Sequence, residues 1–282
     1  LNKILRIGAG QSLIQQSLVV HFSTQLQKRD IDHVIVQIPE SENLDHFKNN
    51  IDNALRNNEI DTAAFYLDQL KPSISEDETV ITALSERQFS GECIVLHPDR
   101  YDDTCEINVK NDTKVSTTSL RQSVQLSAHH SGLNINVIDI SAEKLIQHLN
   151  YCNTDAIIIS KDYYERMKTI LTDFKVINLH PKEMIGPAGQ GVIAYLAHRD
   201  DGLTRGYLKL INHPKISRIT NIERMVLKLA GPECINTLGV YVYQDHKNYF
   251  HAHAVRCDLY KKFAFSQSTS EGLAAEIFHS IY

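Results

Sequence analysis

The sequence predicts an α/β fold. Two observations predict it: short apolar strand-like runs alternate with four-residue apolar periodicity along most of the 282 residues, and the opening third reads as a βαβαβ unit. Leu5–Ile7 is a short buried strand, and Ile14, Leu18, Phe22 and Leu26 then recur every four residues along one helical face. Ile31–Ile38 is the next strand, with Ile31, Val34, Val36 and Ile38 apolar, and Phe47, Ile51 and Leu55 stripe the helix after it. Asp61–Tyr66 gives a third strand, so these strands are expected to run parallel, with ligand at their carboxyl ends.

After the polar stretch Ser73–Glu78 and a connecting strand, a second unit begins near Glu92. Strands are expected at Lys114–Val115, Ile135–Ile140, Asp155–Ser160 and Phe174–Leu179. Helices are expected at Ser119–His129, Ala142–Asn150 and Tyr163–Thr172. Pro181–Gly191, with two prolines and three of the chain's 12 glycines, reads as a hinge returning to the first domain. From about Lys209 a smaller unit follows: a helix at Ile219–Leu229, strands at Thr237–Tyr243 and Tyr249–Arg256, and a terminal helix with Leu273, Ile277 and Ile281 on one face. The expected division is 1–91 with 184–208, then 92–183, then 209–282.

Composition narrows the function. At 42% apolar residues the chain can bury two or three cores. A formal charge of -5, with no basic run, argues against nucleic acid as a partner. No stretch approaches the ~18 apolar residues of a spanning helix, so the expectation is a soluble, cytoplasmic protein without a membrane partner; a monomer is expected as well. Cys93, Cys105, Cys152, Cys234 and Cys257 are widely spaced and form no C-x-x-C pair, which argues against a disulfide framework or a zinc site. His251 and His253 share one strand face without a third ligand near in sequence, and His129-His130 ends a helix where cations suit the dipole, so no metal is expected. Gly8-Ala-Gly10 lacks the third glycine of a dinucleotide fingerprint.

Five segments stand in a telling order: Leu5-Arg-Ile-Gly-Ala-Gly-Gln-Ser12, Glu59–Gln69, Ser116-Thr-Thr-Ser-Leu-Arg121, Pro187-Ala-Gly-Gln-Gly191, and the Glu223-Arg224 helix leading to Cys234. In that order they resemble the porphobilinogen deaminase family, also called hydroxymethylbilane synthase. The resemblance implies two periplasmic-binding-protein-like domains with an active-site cleft between them, plus a small α+β C-terminal domain. It also implies a dipyrromethane cofactor joined to Cys234 by a thioether, and condensation of four porphobilinogen units in tetrapyrrole (heme) biosynthesis. Pyrrole substituents are carboxylates, which calls for arginines, and cationic intermediates call for a buried aspartate.

The same resemblance carries Ser12, Thr117, Ser119, Arg121, Arg166 and Gln190 over as cofactor- and ligand-binding positions. Other family charges are missing. Family arginines fall on Gly10, Gln122, Asp139 and, near Lys144, on Leu145, while the catalytic aspartate falls on Gln69, beside Asp68 as a possible substitute. An amide has no charge to offset a developing cation. The expectation is therefore a catalytically impaired member that binds a small anionic, pyrrole-like ligand in the cleft. An active synthase using Asp68 is the alternative.

Overall fold

The computed structural model describes residues 3–41, 43–72 and 78–282. Residues 73–77 of the polar stretch fall outside them. The chain divides into two compact units, one running to Gln88 and taking up Val192–Arg218, the other comprising Phe89–Gly191 and Ile219–Tyr282.

The first unit begins β1 (Leu5–Ala9), α1 (Leu13–Gln27), β2 (His33–Gln37), α2 (Leu44–Arg56) and β3 (Thr62–Tyr66), followed by β4 (Thr79–Leu84). β1 lies between β2 and β3 and parallel to both, as the βαβαβ reading requires. Leu18, Phe22 and Leu26 of α1 are buried, and so are Phe47, Ile51 and Leu55 of α2, because a stripe every three to four residues turns one helix face to the sheet.

In the second unit, β5 (Glu92–Leu96), β6 (Lys114–Thr117), α3 (Leu120–His129), β7 (Asn134–Val137), α4 (Ala142–Asn150), β8 (Ala156–Ser160), α5 (Lys161–Met167) and β9 (Lys175–Leu179) follow. The chain then adds β10 (Ile193–His198) and α6 (Gly202–Lys209) to the first unit. Each sheet has five strands, in the orders β2-β1-β3-β10-β4 and β7-β6-β8-β5-β9. The plan is the same in both: three parallel strands, then a reversed strand, then an edge strand antiparallel to that one. The reversed strand is β10 in one sheet and β5 in the other. Tyr195 of β10 stacks on Phe22 of α1 with ring centroids 4.3 Å apart.

The remaining elements are α7 (Pro214–Ala230), β11 (Leu238–Gln244), β12 (Phe250–Arg256), β13 (Lys261–Gln267) and α8 (Leu273–Ile281). The three strands form an antiparallel meander. Leu273, Ile277 and Ile281 of α8 are fully buried, as their spacing predicts. The fold class is thus the expected one, α/β with a small α+β element at the end.

Two close approaches join this meander to the rest of its unit. A side chain on Gly239 would meet the Ile185 carbonyl oxygen at 2.6 Å, so only glycine lets the segment before the Pro187–Gly191 loop lie against β11, where Val240 N–H donates to the Gly186 carbonyl at 2.9 Å. Glu223 of α7, fully buried, accepts the Gly189 and Val242 amides, each at 2.8 Å. Among the described residues no helix is long and apolar enough to cross a membrane.

Candidate functional site

The amino end of α1 is built by the turn after β1. Ser12 caps the helix: its hydroxyl accepts the Gln15 amide at 3.3 Å. Its own N–H and O–H both point to Glu40, donating to the two carboxylate oxygens at 2.6 Å each. Gly10 completes the seat, since a side chain there would lie 2.5 Å from the same carboxylate. A carboxylate is what exposed N–H groups at a helix start attract. Here the chain supplies its own.

At the end of β3, Leu67–Gln69 form a single 3-10 turn pinned by Leu67 N–H donating to the Val192 carbonyl at 2.8 Å. Gln69 is exposed and Asp68 half-buried. The two neighbours thus sit in a turn and not in an extended segment, and such a turn spaces successive side chains by about 120°.

In the second unit the predicted residues converge on a carboxylate that the sequence reading did not single out. Glu92, the first residue of β5, is fully buried. One of its oxygens accepts Arg121 Nη2 at 3.0 Å and Gln190 Nε2 at 3.0 Å, and the other accepts Gln122 Nε2 at 2.8 Å. Arg121, only 4% exposed, gives its other terminal nitrogen to the Ile185 carbonyl at 2.6 Å. Gln190 also accepts the Gly91 amide at 3.2 Å. Thr117 donates to the Gln122 side-chain oxygen and accepts the Ser119 amide at 3.1 Å, and Ser119 caps α3. Thr117, Ser119, Arg121 and Gln190 are therefore brought together, but around Glu92.

Arg166 pairs along its own helix with Asp162, 2.9 Å away and only 2% exposed on its side chain. Cys234 ends a short 3-10 turn begun at Gly231, whose φ of 93° suits glycine. Its sulfur accepts the Tyr282 hydroxyl at 2.6 Å. The Tyr282 ring carries the Arg256 guanidinium 4.0 Å from its centroid, and Arg256 is paired in turn with Asp258 at 2.8 Å. Burial, then the bond to Cys234, raises the Tyr282 hydroxyl above its ordinary range. Leu145 is a fully buried core residue, whereas Asp139 and Lys144 are exposed.

A family model for "Porphobilinogen deaminase, dipyromethane cofactor binding domain" matches residues 10–205. The chain belongs to the porphobilinogen deaminase family. Curated relatives include the porphobilinogen deaminase of Listeria welshimeri, 30% identical over 190 residues that make up 67% of this chain and 60% of that one. The probable porphobilinogen deaminase of Methanocaldococcus jannaschii is 26% identical, covering 72% of this chain and 66% of its own. That of Nitrosopumilus maritimus is 28% identical, with 69% and 60% covered. The chain thus spans under two thirds of the length of these relatives. Solved structures it resembles include an arginine-specific periplasmic binding protein of Salmonella typhimurium (TM-score 0.43, 10% identity, 82% of this chain and 95% of that one). Another is the GluR0 ligand-binding core bound to glutamate (TM-score 0.40, 10% identity, 78% and 98%).

The family match supports dipyrromethane as the family's cofactor, and it ends before Cys234. The residues present fit that polycarboxylate poorly. Its carboxylates need free donors, and Ser12, Arg121, Gln190 and Arg166 already hold Glu40, Glu92 and Asp162. Among the described residues no group of three or more His, Cys, Asp or Glu could hold a metal ion. His251 instead bonds Ser266 at 2.7 Å and Asp245 at 3.0 Å. Sequence reasoning had one usable signal for the missed acceptors, the i,i+4 spacing of Asp162 and Arg166.

Proposed function

We propose that this chain is a porphobilinogen deaminase-like protein impaired in hydroxymethylbilane synthesis, which binds a small anionic, pyrrole-like ligand. One observation carries the reading: the principal donors assigned to ligand already hold carboxylates of the same chain. Arg121 and Gln190 are engaged in a buried knot. Ser12 is different, because its partner Glu40 is exposed and can swing out, so a ligand carboxylate exchanges with Glu40 there. Gln69 supports the loss of turnover, since an exposed amide cannot offset positive charge and loss of one such stabiliser costs about 10²–10³ in rate. On this reading residues 209–282 correspond to the attachment domain, with Cys234 as the position for any dipyrromethane, and the protein acts as a soluble monomer.

The test is turnover of porphobilinogen at high protein concentration, together with thermal stabilisation by porphobilinogen. We expect no tetrapyrrole, and a stabilisation that is larger in Glu40→Gln, since a ligand bound only by the folded state raises its stability. Turnover that is lost in Asp68→Asn and kept in Gln69→Ala would establish the working synthase instead. Absence of stabilisation in both the parent and Glu40→Gln would remove the ligand.

A further inference from the structure

A polar cavity lies within the first unit, lined by none of the candidate-site residues discussed above. Its volume is about 450 Å³ and its lining includes His21, Lys28, Arg29 and His213, against one carboxylate, Glu86. The chain as a whole is acidic, with a formal charge of -5, so this concentration of cations is a local feature. Neither Lys28 nor Arg29 has an ion-pair partner among the described residues. Both stand at the carboxyl end of α1, where any helix favours cations. The dipole, however, does not require a cavity closed by an imidazole from another segment.

The walls are fixed by hydrogen bonds. Asn212 Oδ1 accepts the Leu84 amide at 2.9 Å and the Ser217 hydroxyl at 3.0 Å, and the His213 amide donates to the Leu84 carbonyl at 3.0 Å. Next to Leu84, Ser85 Oγ accepts the Ile193 amide at 2.9 Å and donates to the Glu86 carbonyl at 2.9 Å. His213 Nδ1 accepts the Ile216 amide at 3.3 Å, so when the ring is neutral its proton sits on Nε2 and that nitrogen is a donor. The partial negative charge at the end of α1, where Leu26 and Thr24 accept the Arg29 and Lys28 amides at 2.9 and 3.2 Å, is outweighed by the two full positive charges of Lys28 and Arg29.

We infer that this cavity binds a small polyvalent oxyanion, a molecule carrying two or more phosphate or carboxylate groups, held by Lys28 and Arg29 with His213 as a further donor. A guanidinium beside an ammonium matches clustered anionic oxygens. The volume falls within the range of small-ligand sites. The experiment is calorimetric titration of the full chain with inorganic pyrophosphate and, separately, with citrate, at constant ionic strength, since screening would otherwise mimic competition. We expect saturable binding of at least one probe, about tenfold weaker or more in Lys28→Ala/Arg29→Ala, and unchanged in the charge-matched surface control Lys247→Ala/Lys261→Ala. The stronger of the two probes tells phosphate from carboxylate. Binding of neither at millimolar concentration, or equal loss in both double variants, overturns the inference.

Discussion

Glu92 is the group whose removal discriminates best between a structural and a ligand-holding Arg121. The Arg121 side chain is 5% exposed and that of Glu92 0%, so in Glu92→Met the guanidinium keeps its charge with only the Ile185 carbonyl for a partner. Removing one member of a buried pair costs about 3–5 kcal/mol. Gln122 and Gln190 lose their acceptor as well, each such bond contributing ~1 kcal/mol, so the total is about 5 kcal/mol or more. Arg121→Met strands the carboxylate instead, with two amides still bonded to it, and costs ~3–4 kcal/mol. The double variant Glu92→Met/Arg121→Met removes both charges and leaves only the two amides short of an acceptor. It is expected to cost about 2 kcal/mol, less than either single change. The assay is a urea-denaturation cycle over the four proteins. Hydrogen exchange at Gly91 and Ile185, whose amides depend on Gln190 and Gln125 in this knot at 3.2 and 2.9 Å, serves as the local readout. The reasoning is refuted if the single losses simply add. It is equally refuted if Arg121→Met leaves stability within ~0.5 kcal/mol while weakening ligand binding, which is the behaviour of an outward-facing ligand arginine.

Two further predictions concern titration and thiol chemistry. Burial alone would raise the Asp61 carboxyl, but hydrogen bonds from Arg6 and Lys3 outweigh it and hold the group at about 2. A depressed carboxylate adds stability above its unfolded value near ~3.9 and loses it as pH falls through the folded one, so thermal midpoints should drop between about pH 4 and 2, and Asp61→Asn should flatten that limb. An unchanged acid slope in the variant counts against the assignment. For the cysteines, burial pushes the Cys257 thiol up to about 11 and raises Cys93 further, while Cys152 is exposed. Iodoacetamide followed by peptide mass mapping should mark Cys152 first and these two last. Labelling of Cys257 or Cys93 ahead of Cys152 would refute the burial argument.

What the sequence made legible follows from range. Helices with an unbroken stripe were readable: Phe47, Ile51 and Leu55 of α2, and Leu273, Ile277 and Ile281 of α8, are all at or below 2% exposure. α6 was not, since Gly202 opens it and Gly206 sits inside it, and glycine weakens a helix reading. β13 was missed because Lys261 and Lys262 begin it and most of its residues are exposed, leaving no clean alternation. The family resemblance singled out Ser12, Arg121 and Gln190, but not the carboxylates they hold. Glu40 is 28 residues from Ser12, Glu92 is 29 from Arg121 and 98 from Gln190. Only tertiary structure closes such distances.

The positions at which the resemblance leads one to expect arginine are tied to those carboxylates. At position 122 the side chain must accept a hydrogen bond from Thr117 and donate one to Glu92. An amide does both, whereas a guanidinium has no acceptor. At position 10 any side chain would enter the Glu40 carboxylate, and at position 145 the residue lies in a fully buried core where an unpaired cation is costly. Arginine introduced at one of these places is therefore expected to create no ligand site, because the surrounding contacts are carboxylates and apolar groups that the chain itself provides. Positions 10 and 122 lie against Glu40 and Glu92, so opening either place to a ligand carboxylate requires changing each pair together.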